Sequence, residues 1–333
     1  MNRPFLTIGI PTYKRPHRLH RLLETLVTQK GIRTDEWEIV ISDNCSLDDT
    51  SAVVGTFYNR LPNLRYFQNP HNIGADMNMR SLFEKALGDY VWVMPDDDLV
   101  NGDQAVATLI TKLKACPVPP AFAITNAKSI HTDTGELIKA KFNPIDGEIF
   151  LQRGSDILNI LSDFDLIGWQ RAVIRRNVLP DVFVDKYASR PVAIIAIVLM
   201  ACTKGTALII GEPLAIFSDG DPTDWRVYWP SICMQEMPEL LLAAVENLGY
   251  SSEAVARIIE QRKYKYFGRV IHANLLLFQL FGISWSRLAR LYGWPFLARQ
   301  IFVKAPLAIP IALIWPWRRQ LKALSNQLLT WRK

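Results

Sequence analysis

The chain has 333 residues, 49% hydrophobic and 21% charged, enough apolar content for a sizeable core and one or two domains. Its four cysteines, Cys45, Cys116, Cys202 and Cys233, are widely spaced, which argues against a disulfide scaffold or a zinc site and fits a reducing compartment. The net charge of +6 is unevenly held: residues 261–333 carry thirteen Lys and Arg and no acid, so the first 260 hold 25 basic and 32 acidic residues, a balance of −7.

The N-terminus runs into a strand-like segment without the basic and long apolar regions of a secretory signal. Phe5 to Ile10 reads as a buried strand, ended by Pro11 and a loop to Pro16. From His17, the residues Leu19, Leu22, Leu23, Leu26 and Val27 fall on one helical face, and Gly31 closes the helix. Trp37 to Ile41 is a second strand that breaks into the polar run Ser42 to Thr50. A helix over about 50–61, a strand over Leu64 to Phe67, a turn from Asn69 to Gly74 and a helix over about 76–87 follow. Gly88 stops that helix, and the apolar run from Tyr90 to Pro95 ends in Asp96, Asp97 and Asp98.

Strand and helix alternate through this stretch, which predicts a mostly parallel sheet with right-handed crossovers. Sites in such sheets lie beyond the carboxyl ends of the strands. The polar loops 11–15, 42–49, 69–74 and 96–98 all fall at those ends. Three adjacent carboxylates repel one another, so a strand that stops in them asks for neutralisation. A hard divalent cation, Mg2+ or Mn2+, suits oxygen ligands and completes its shell with substrate phosphates. The plainer alternative is a solvated acidic turn.

Four segments carry a specific resemblance: Ile8-Gly9-Ile10-Pro11-Thr12-Tyr13-Lys14-Arg15, Ile39-Val40-Ile41-Ser42-Asp43-Asn44-Cys45-Ser46-Leu47-Asp48-Asp49-Thr50, Asn72-Ile73-Gly74, and Ala86 to Asp98. Taken in this order and spacing, the first hundred residues resemble the family 2 glycosyltransferases of the GT-A fold. The Ser-Asp-Asn form of the second loop is similar to that of bacterial abequosyltransferases of O-antigen synthesis. The resemblance implies that Asp43 sits near the nucleobase, with Pro11, Thr12 and Tyr13 lining the same pocket and Arg15 near the diphosphate. It implies that Asn72, Gly74, Asp96 and Asp97 face the nucleotide, and that Asp96 and Asp98 form the metal-binding Asp-x-Asp motif, Asp98 more directly. Two departures stand out: Asn78-Met79-Arg80 lacks the glycine of a second Asn-x-Gly, and Pro95 replaces a usual aspartate.

The middle of the chain reads as a helix over Val106 to Leu113, a strand over Phe122 to Thr125, a hairpin turn at His131 to Glu136 and a helix over Ser155 to Leu161. Ile167 to Arg176 resembles the family segment beside the acceptor pocket, where Trp169 either stacks on a sugar ring or belongs to the core. An inverting transferase needs a carboxylate base for the acceptor hydroxyl. The Glu-Asp pair common in the family is missing, which leaves Asp185 as the candidate base, with Asp163 and Asp165 behind it. Pro191 to Cys202 is apolar but, at about a dozen residues, too short to span a bilayer, so a buried helix is expected. Thr206 to Ile210 reads as a last strand. A polar loop from Ser218 to Arg226 falls where related enzymes carry a lid, Arg226 facing the diphosphate; a plain interdomain linker is the alternative.

Amphipathic helices are expected over Pro238 to Gly249 and Ser252 to Tyr266. Beyond them Trp285, Trp294, Trp315, Trp317 and Trp331 stand among Leu-rich segments with only basic charges between. Pro306, Pro310 and Pro316 break the apolar run from Phe302 to Trp317. This pattern suits a helical region lying in an anionic membrane surface. A nucleic-acid-binding tail would be less rich in Leu, Ile and Ala, and an ordinary helical bundle is the other alternative.

The expectation is therefore a two-part chain: residues 1–220 as a GT-A domain, an α/β Rossmann-like fold with a mostly parallel sheet flanked by helices, and residues 221–333 as a basic, membrane-associating helical region. The expected activity is transfer of a sugar from a nucleotide-diphosphate sugar to a lipid-linked saccharide, assisted by Mn2+ or Mg2+, with no nucleic-acid partner, peripheral at the cytoplasmic face of a bacterial inner membrane. Nucleotidyl transfer lacks its Gly-rich phosphate loop here. A non-catalytic, membrane-associated nucleotide-sugar-binding protein is the other reading.

Overall fold

The structure, a computed structural model, describes residues 3–162, 168–178, 186–187, 192–219, 231–261 and 284–299. β1 (Leu6–Thr12), β2 (Trp37–Asp43), β3 (Leu64–Gln68) and β4 (Tyr90–Val93) pair in parallel in the order β3-β2-β1-β4. Every residue of β2 is buried, as expected of a central strand covered on both faces. The alternation of side chains across the strands divides the apolar residues between two packed layers. Ile8, Ile10, Ile39, Ile41 and Trp92 join one cluster, while Val40, Val91 and Val93 join Met79 and Leu82 in another.

Helix α1 (Pro16–Val27) begins with proline in its first turn, where a missing N–H costs nothing. It buries Leu19, Leu22, Leu23 and Leu26 against the first layer, contributing roughly 2 kcal/mol for each leucine before entropy is charged. Helix α2 (Thr50–Gly55) is shorter than the sequence pattern suggests, because turns replace it before Leu61. Helix α3 (Ala75–Lys85) lays Met79 and Leu82 on the opposite face of the sheet, and α4 (Ala105–Lys114) returns to the first layer through Val106, Leu109, Ile110 and Leu113.

The sheet continues with strands that the sequence pattern showed only in part. β5 (Leu99–Val100), β6 (Phe122–His131), β7 (Leu137–Lys139), β8 (Glu148–Leu151), β9 (Ala172–Arg175) and β10 (Ala207–Asp219) complete it. The path runs β3-β2-β1-β4-β9-β6-β10-β5, with β7 on β6 and β8 on β10. β9 lies antiparallel between β4 and β6, yet β6 and β10 run parallel to each other, so the main strands share one direction. β10 is more than twice as long as the expected Thr206 to Ile210 strand. It shifts register at Pro213 and pairs on to Asp219, opposite His131. Ser218 and Asp219 are thus strand residues, a correction to the loop expected from Ser218 onward.

The helix Ala193–Thr203 has every residue from Ala193 to Cys202 buried, and its length of about 16 Å is half a bilayer core. Among the described residues no helix is long and apolar enough to cross a membrane.

The chain divides into two compact units, Met1–Pro222 with Asn247–Ser251, and Thr223–Glu246 with Ser252–Lys333. In the second unit a π-helical turn, Ile232–Glu236, leads into the helix Met237–Leu248. The helix Trp285–Tyr292 is capped by Ser284, whose backbone N–H donates to Gln235 Oε1 at 2.5 Å. Met234, Leu288, Tyr292 and Leu297 form its small core. Arg287, one of the basic residues of the tail, is paired with Glu236 and Glu239, its Nε donating to Glu239 Oε1 at 2.7 Å. Its charge is therefore already answered within the unit. Arg226 and the remaining tail residues, including Trp315, Trp317 and Trp331, lie outside the described residues.

Candidate functional site at the carboxyl edge of the sheet

β1 and β2 end in register, Thr12 opposite Asp43 and Pro11 opposite Ser42, so their loops emerge side by side. The loops are tied together: the Asn44 N–H donates to the Thr12 carbonyl at 2.9 Å, and the Lys14 N–H to Ser46 Oγ at 2.7 Å. Lys14 and Cys45 hold positive φ angles of 54° and 64°, a conformation that costs a non-glycine residue about 1–2 kcal/mol. Strain held on both neighbouring loops is a mark of a preorganised site.

Asp43 is completely buried. Its Oδ1 accepts from the Ser46 N–H at 2.9 Å, and its Oδ2 accepts from the Tyr66 hydroxyl at 2.6 Å and Gln68 Nε2 at 3.2 Å. Burial, then the Asp43 carboxylate, push the Tyr66 hydroxyl well above its ordinary range, so it serves as a donor. Tyr66 and Gln68, both on β3, are site residues that sequence reading missed. Tyr13 stands at the rim, 38% exposed, with Lys14 Nζ 5.2 Å from its ring centre; Pro11 is half-buried at the end of β1.

The turn after β3 closes over these loops. Asn72 Oδ1 accepts from Asn44 Nδ2 at 2.8 Å and from the Gly74 N–H at 2.9 Å, while Asn44 Oδ1 accepts from the Ile73 N–H at 2.9 Å. Gly74 has φ +83° and starts α3, a backbone that a side chain would strain. Asn78, the residue that breaks the second Asn-x-Gly, has a structural task. Its Oδ1 accepts from Ser42 Oγ at 2.7 Å and Asn69 Nδ2 at 2.9 Å, and its Nδ2 donates to the Ser42 carbonyl at 2.9 Å.

The Asp triplet follows β4 and stands beside β1. Asp96 is 3% exposed; its Oδ2 accepts from Thr12 Oγ1 at 2.7 Å and its Oδ1 from Arg15 Nη1 at 3.1 Å. The same Arg15 Nη1 reaches Asp97 Oδ2 at 3.1 Å, and Arg18 lies 3.6 Å from that oxygen. Burial and the Asp97 charge push the Asp96 carboxyl up to about 6, against the pull of Arg15 and Thr12. Asp98 is also 3% exposed, and among the described residues its Oδ1 accepts a single hydrogen bond, from the Ser218 N–H on β10 at 3.0 Å. Burial, then Asp97, hold its carboxyl far above the usual carboxylate range.

The structure thus brings together Thr12, Arg15, Asp96 and Asp97 directly, with Asp98 adjoining them and Asp43 one strand away. Trp169 belongs to a 3₁₀ turn, Trp169–Arg171, held beside β4 by the Trp92 Nε1 bond to the Gln170 carbonyl at 2.9 Å. The side chain of Trp169 lies outside the described residues, as do Asp163, Asp165 and Asp185.

No three His, Cys, Asp or Glu groups converge as ready metal ligands among the described residues. The chemistry of the triplet nevertheless fits a hard cation. Both oxygens of Asp96 are engaged by Thr12 and Arg15, whereas Asp98 keeps one oxygen without a hydrogen bond and has no cation paired with it among the described residues. A buried carboxylate with surplus acceptor capacity beside two other acids is suited to such an ion.

Against known proteins, the glycosyl transferase family 2 model matches residues 7–168. Abequosyltransferase RfbV of Salmonella typhimurium is 36% identical over 110 residues, 32% of each chain. The GalNAc(5)-diNAcBac-PP-undecaprenol beta-1,3-glucosyltransferase of Campylobacter jejuni is 31% identical over 111 residues, 33% of this chain and 34% of the relative. The chain thus spans about a third of the length of these curated relatives. The crystal structure of S. aureus TarS 1-349 in complex with UDP-GlcNAc superposes with a TM-score of 0.59 at 16% identity, covering 95% of this chain and 92% of that one, a likeness of fold. With the GT-A-like sheet and the edge loops in place, the segment at residues 7–168 matches the glycosyl transferase family 2 model, and the chain is similar to these transferases over that stretch.

Proposed function

We propose that the protein transfers a sugar from a nucleotide-diphosphate sugar to a lipid-linked saccharide acceptor in bacterial cell-surface polysaccharide synthesis. The observation that carries this reading is the pairing of two unlike carboxylate sites on one sheet edge. Asp43 is buried and fixed by three neutral donors, its Oδ1 accepting only from the Ser46 N–H among the described residues; the triplet is charge-rich and undersaturated at Asp98. A nucleotide sugar presents the matching groups, a base with N–H donors at one end and a diphosphate that brings a cation at the other.

In this reading Asp43 receives the base, held in orientation by Tyr66, Gln68 and Ser46, while Pro11, Thr12 and Tyr13 line its pocket. Asn72 and Gly74 complete the nucleotide-facing wall. Asp98, with Asp96, holds Mn2+ or Mg2+. When bound, that ion supplies Lewis-acid stabilisation of the charge on the departing diphosphate. Arg15 shares one nitrogen between Asp96 and Asp97, which positions a guanidinium for the diphosphate oxygens. An acceptor hydroxyl that attacks the anomeric carbon must lose its proton, and we assign that task to Asp185, with Trp169 beside the acceptor sugar and inversion as the outcome.

The names of the curated relatives support a saccharide acceptor on a lipid diphosphate, since one relative's name specifies a PP-undecaprenol substrate. The tail supports attachment at the cytoplasmic face of the inner membrane: residues 261–333 hold thirteen basic and no acidic residues, and Trp294 is 60% exposed. The test is turnover. Purified protein with Mn2+ and a lipid-linked acceptor fraction is given UDP-, GDP-, CDP- and dTDP-sugars in turn. Release of one nucleoside diphosphate that depends on acceptor supports the proposal; no release from any donor overturns it.

A further inference from the structure

The amino edge of the same sheet holds a cleft of about 790 Å³, where β6 and β10 begin and the antiparallel β9 ends. Its size is that of a ligand pocket rather than a packing defect. Arg175, Asn177, Gln152, Ser155, Lys204 and Thr206 line it, and none of its lining residues is acidic. The donor site lies at the opposite ends of these strands.

The walls are preformed. The Gly154 N–H donates to the Gly205 carbonyl at 2.8 Å, and a Cβ on Gly154 would fall 2.2 Å from the Cys202 carbonyl oxygen. The turn before the Gly154–Asp156 3₁₀ helix therefore packs backbone against backbone on the end of the helix Ala193–Thr203. Arg175 is fixed through its main chain, by the bond from its N–H to the Ala121 carbonyl at 3.0 Å and by pairing with Tyr90.

The charges in the cleft are unequal in availability. Arg153 is committed to Asp156 by bonds of 3.1 and 2.8 Å. The Arg175 guanidinium has no acidic partner among the described residues. Thr206 Oγ1 is buried without a hydrogen-bond partner, a costly state unless a ligand or water answers it. A cation without a counter-charge among the described residues, an orphaned hydroxyl and neutral amides, set in backbone-packed walls, match a ligand that carries anionic oxygens and hydroxyls together.

We propose that this cleft binds a phosphorylated saccharide or sugar-like alcohol, its phosphate on Arg175 and its hydroxyls among Thr206, Asn177 and Gln152. The ligand is either soluble or the headgroup of a phospholipid, and the chemistry recognised is the same. The assignment does not depend on the donor-site reading.

Calorimetry of the full chain in EDTA, with glucose 1-phosphate and with glucose, tests it, alongside co-sedimentation with phosphatidylcholine vesicles with and without phosphatidylinositol. The expected result is binding of glucose 1-phosphate over glucose, weakened about tenfold or more in Arg175→Gln. Thr206→Val, which keeps the side-chain shape, should weaken it about fivefold with melting unchanged or raised, and stands if Arg175→Gln fails to fold. Phosphatidylinositol-dependent sedimentation lost in Arg175→Gln assigns the headgroup as the source; binding of the sugar phosphate without that loss assigns a soluble ligand. No binding of either probe by the wild type, or binding unchanged in both variants, overturns the proposal.

Discussion

Glu38 and Asp98 are both buried carboxylates of one sheet, and they are treated in opposite ways. Glu38, near the start of β2, accepts from Thr7 Oγ1 at 2.7 Å, the Leu87 N–H at 2.6 Å and Arg65 Nη1 at 2.8 Å. Each oxygen is answered and a guanidinium balances the charge. Asp98, at the other end of the strands, has among the described residues one neutral backbone donor and two acidic neighbours. The first arrangement fastens β1, β2, β3 and the turn after α3 to one another. The second leaves a carboxyl whose ionised form no described cation pairs with, and that is what a cation, and through it a diphosphate, can use.

Substitutions can break this contrast in a graded way. The largest effect is expected at the undersaturated end: Asp98→Asn should lower turnover by about 10³-fold, on the order of 4 kcal/mol, while leaving the denaturation midpoint unchanged or raised, because it removes a repelled charge. Steady-state rates and a urea melt together check this. At the saturated end the pattern reverses. Glu38→Gln strips the counter-charge from Arg65 and leaves donors unmatched, and should cost about 2–3 kcal/mol in a urea melt with nucleotide affinity little altered. A Glu38→Gln protein as stable as wild type would dissolve the contrast.

Smaller effects sharpen it. Asn78→Ala removes the acceptor of Ser42 and Asn69 beneath the site, with an expected stability loss of about 2 kcal/mol in the same melt. Tyr66→Phe deletes one of three donors to Asp43 and keeps the ring. It should weaken nucleotide binding about fivefold, roughly 1 kcal/mol, with no change in the preferred sugar; calorimetry with the preferred nucleotide reads this.

Much of the fold was legible in the sequence because it is written locally. Ile39, Val40 and Ile41 between Trp37 and Ser42 announce a covered strand, and the leucines of α1 announce its buried face. The edge loops were legible for the same reason, since Asp43 and the triplet each follow an apolar run at once. What stayed hidden depends on partners far away in the chain. Ser218 meets Asp98 across 120 residues, and nothing near Ser218 marks it as a strand end. β9 enters between β4 and β6 as four residues, Ala172–Arg175, too short to show a period. Tyr66 and Gln68 look like ordinary strand residues until β3 is laid beside β2. Arg287 reads as one more basic residue of the tail, yet Glu236 and Glu239 answer it from some fifty residues earlier in the chain.

The most direct measurement is of Mn2+ itself, by electron paramagnetic resonance, with UDP, GDP, CDP or dTDP present, on wild type, Asp98→Asn and Glu38→Gln. Tight Mn2+ binding that requires one nucleotide, survives in Glu38→Gln and is lost in Asp98→Asn is the expected result. Mn2+ binding that is absent from the wild type with all four nucleotides, or that is equally tight in Asp98→Asn, would contradict the claim that the surplus charge at Asp98 is there to receive a cation.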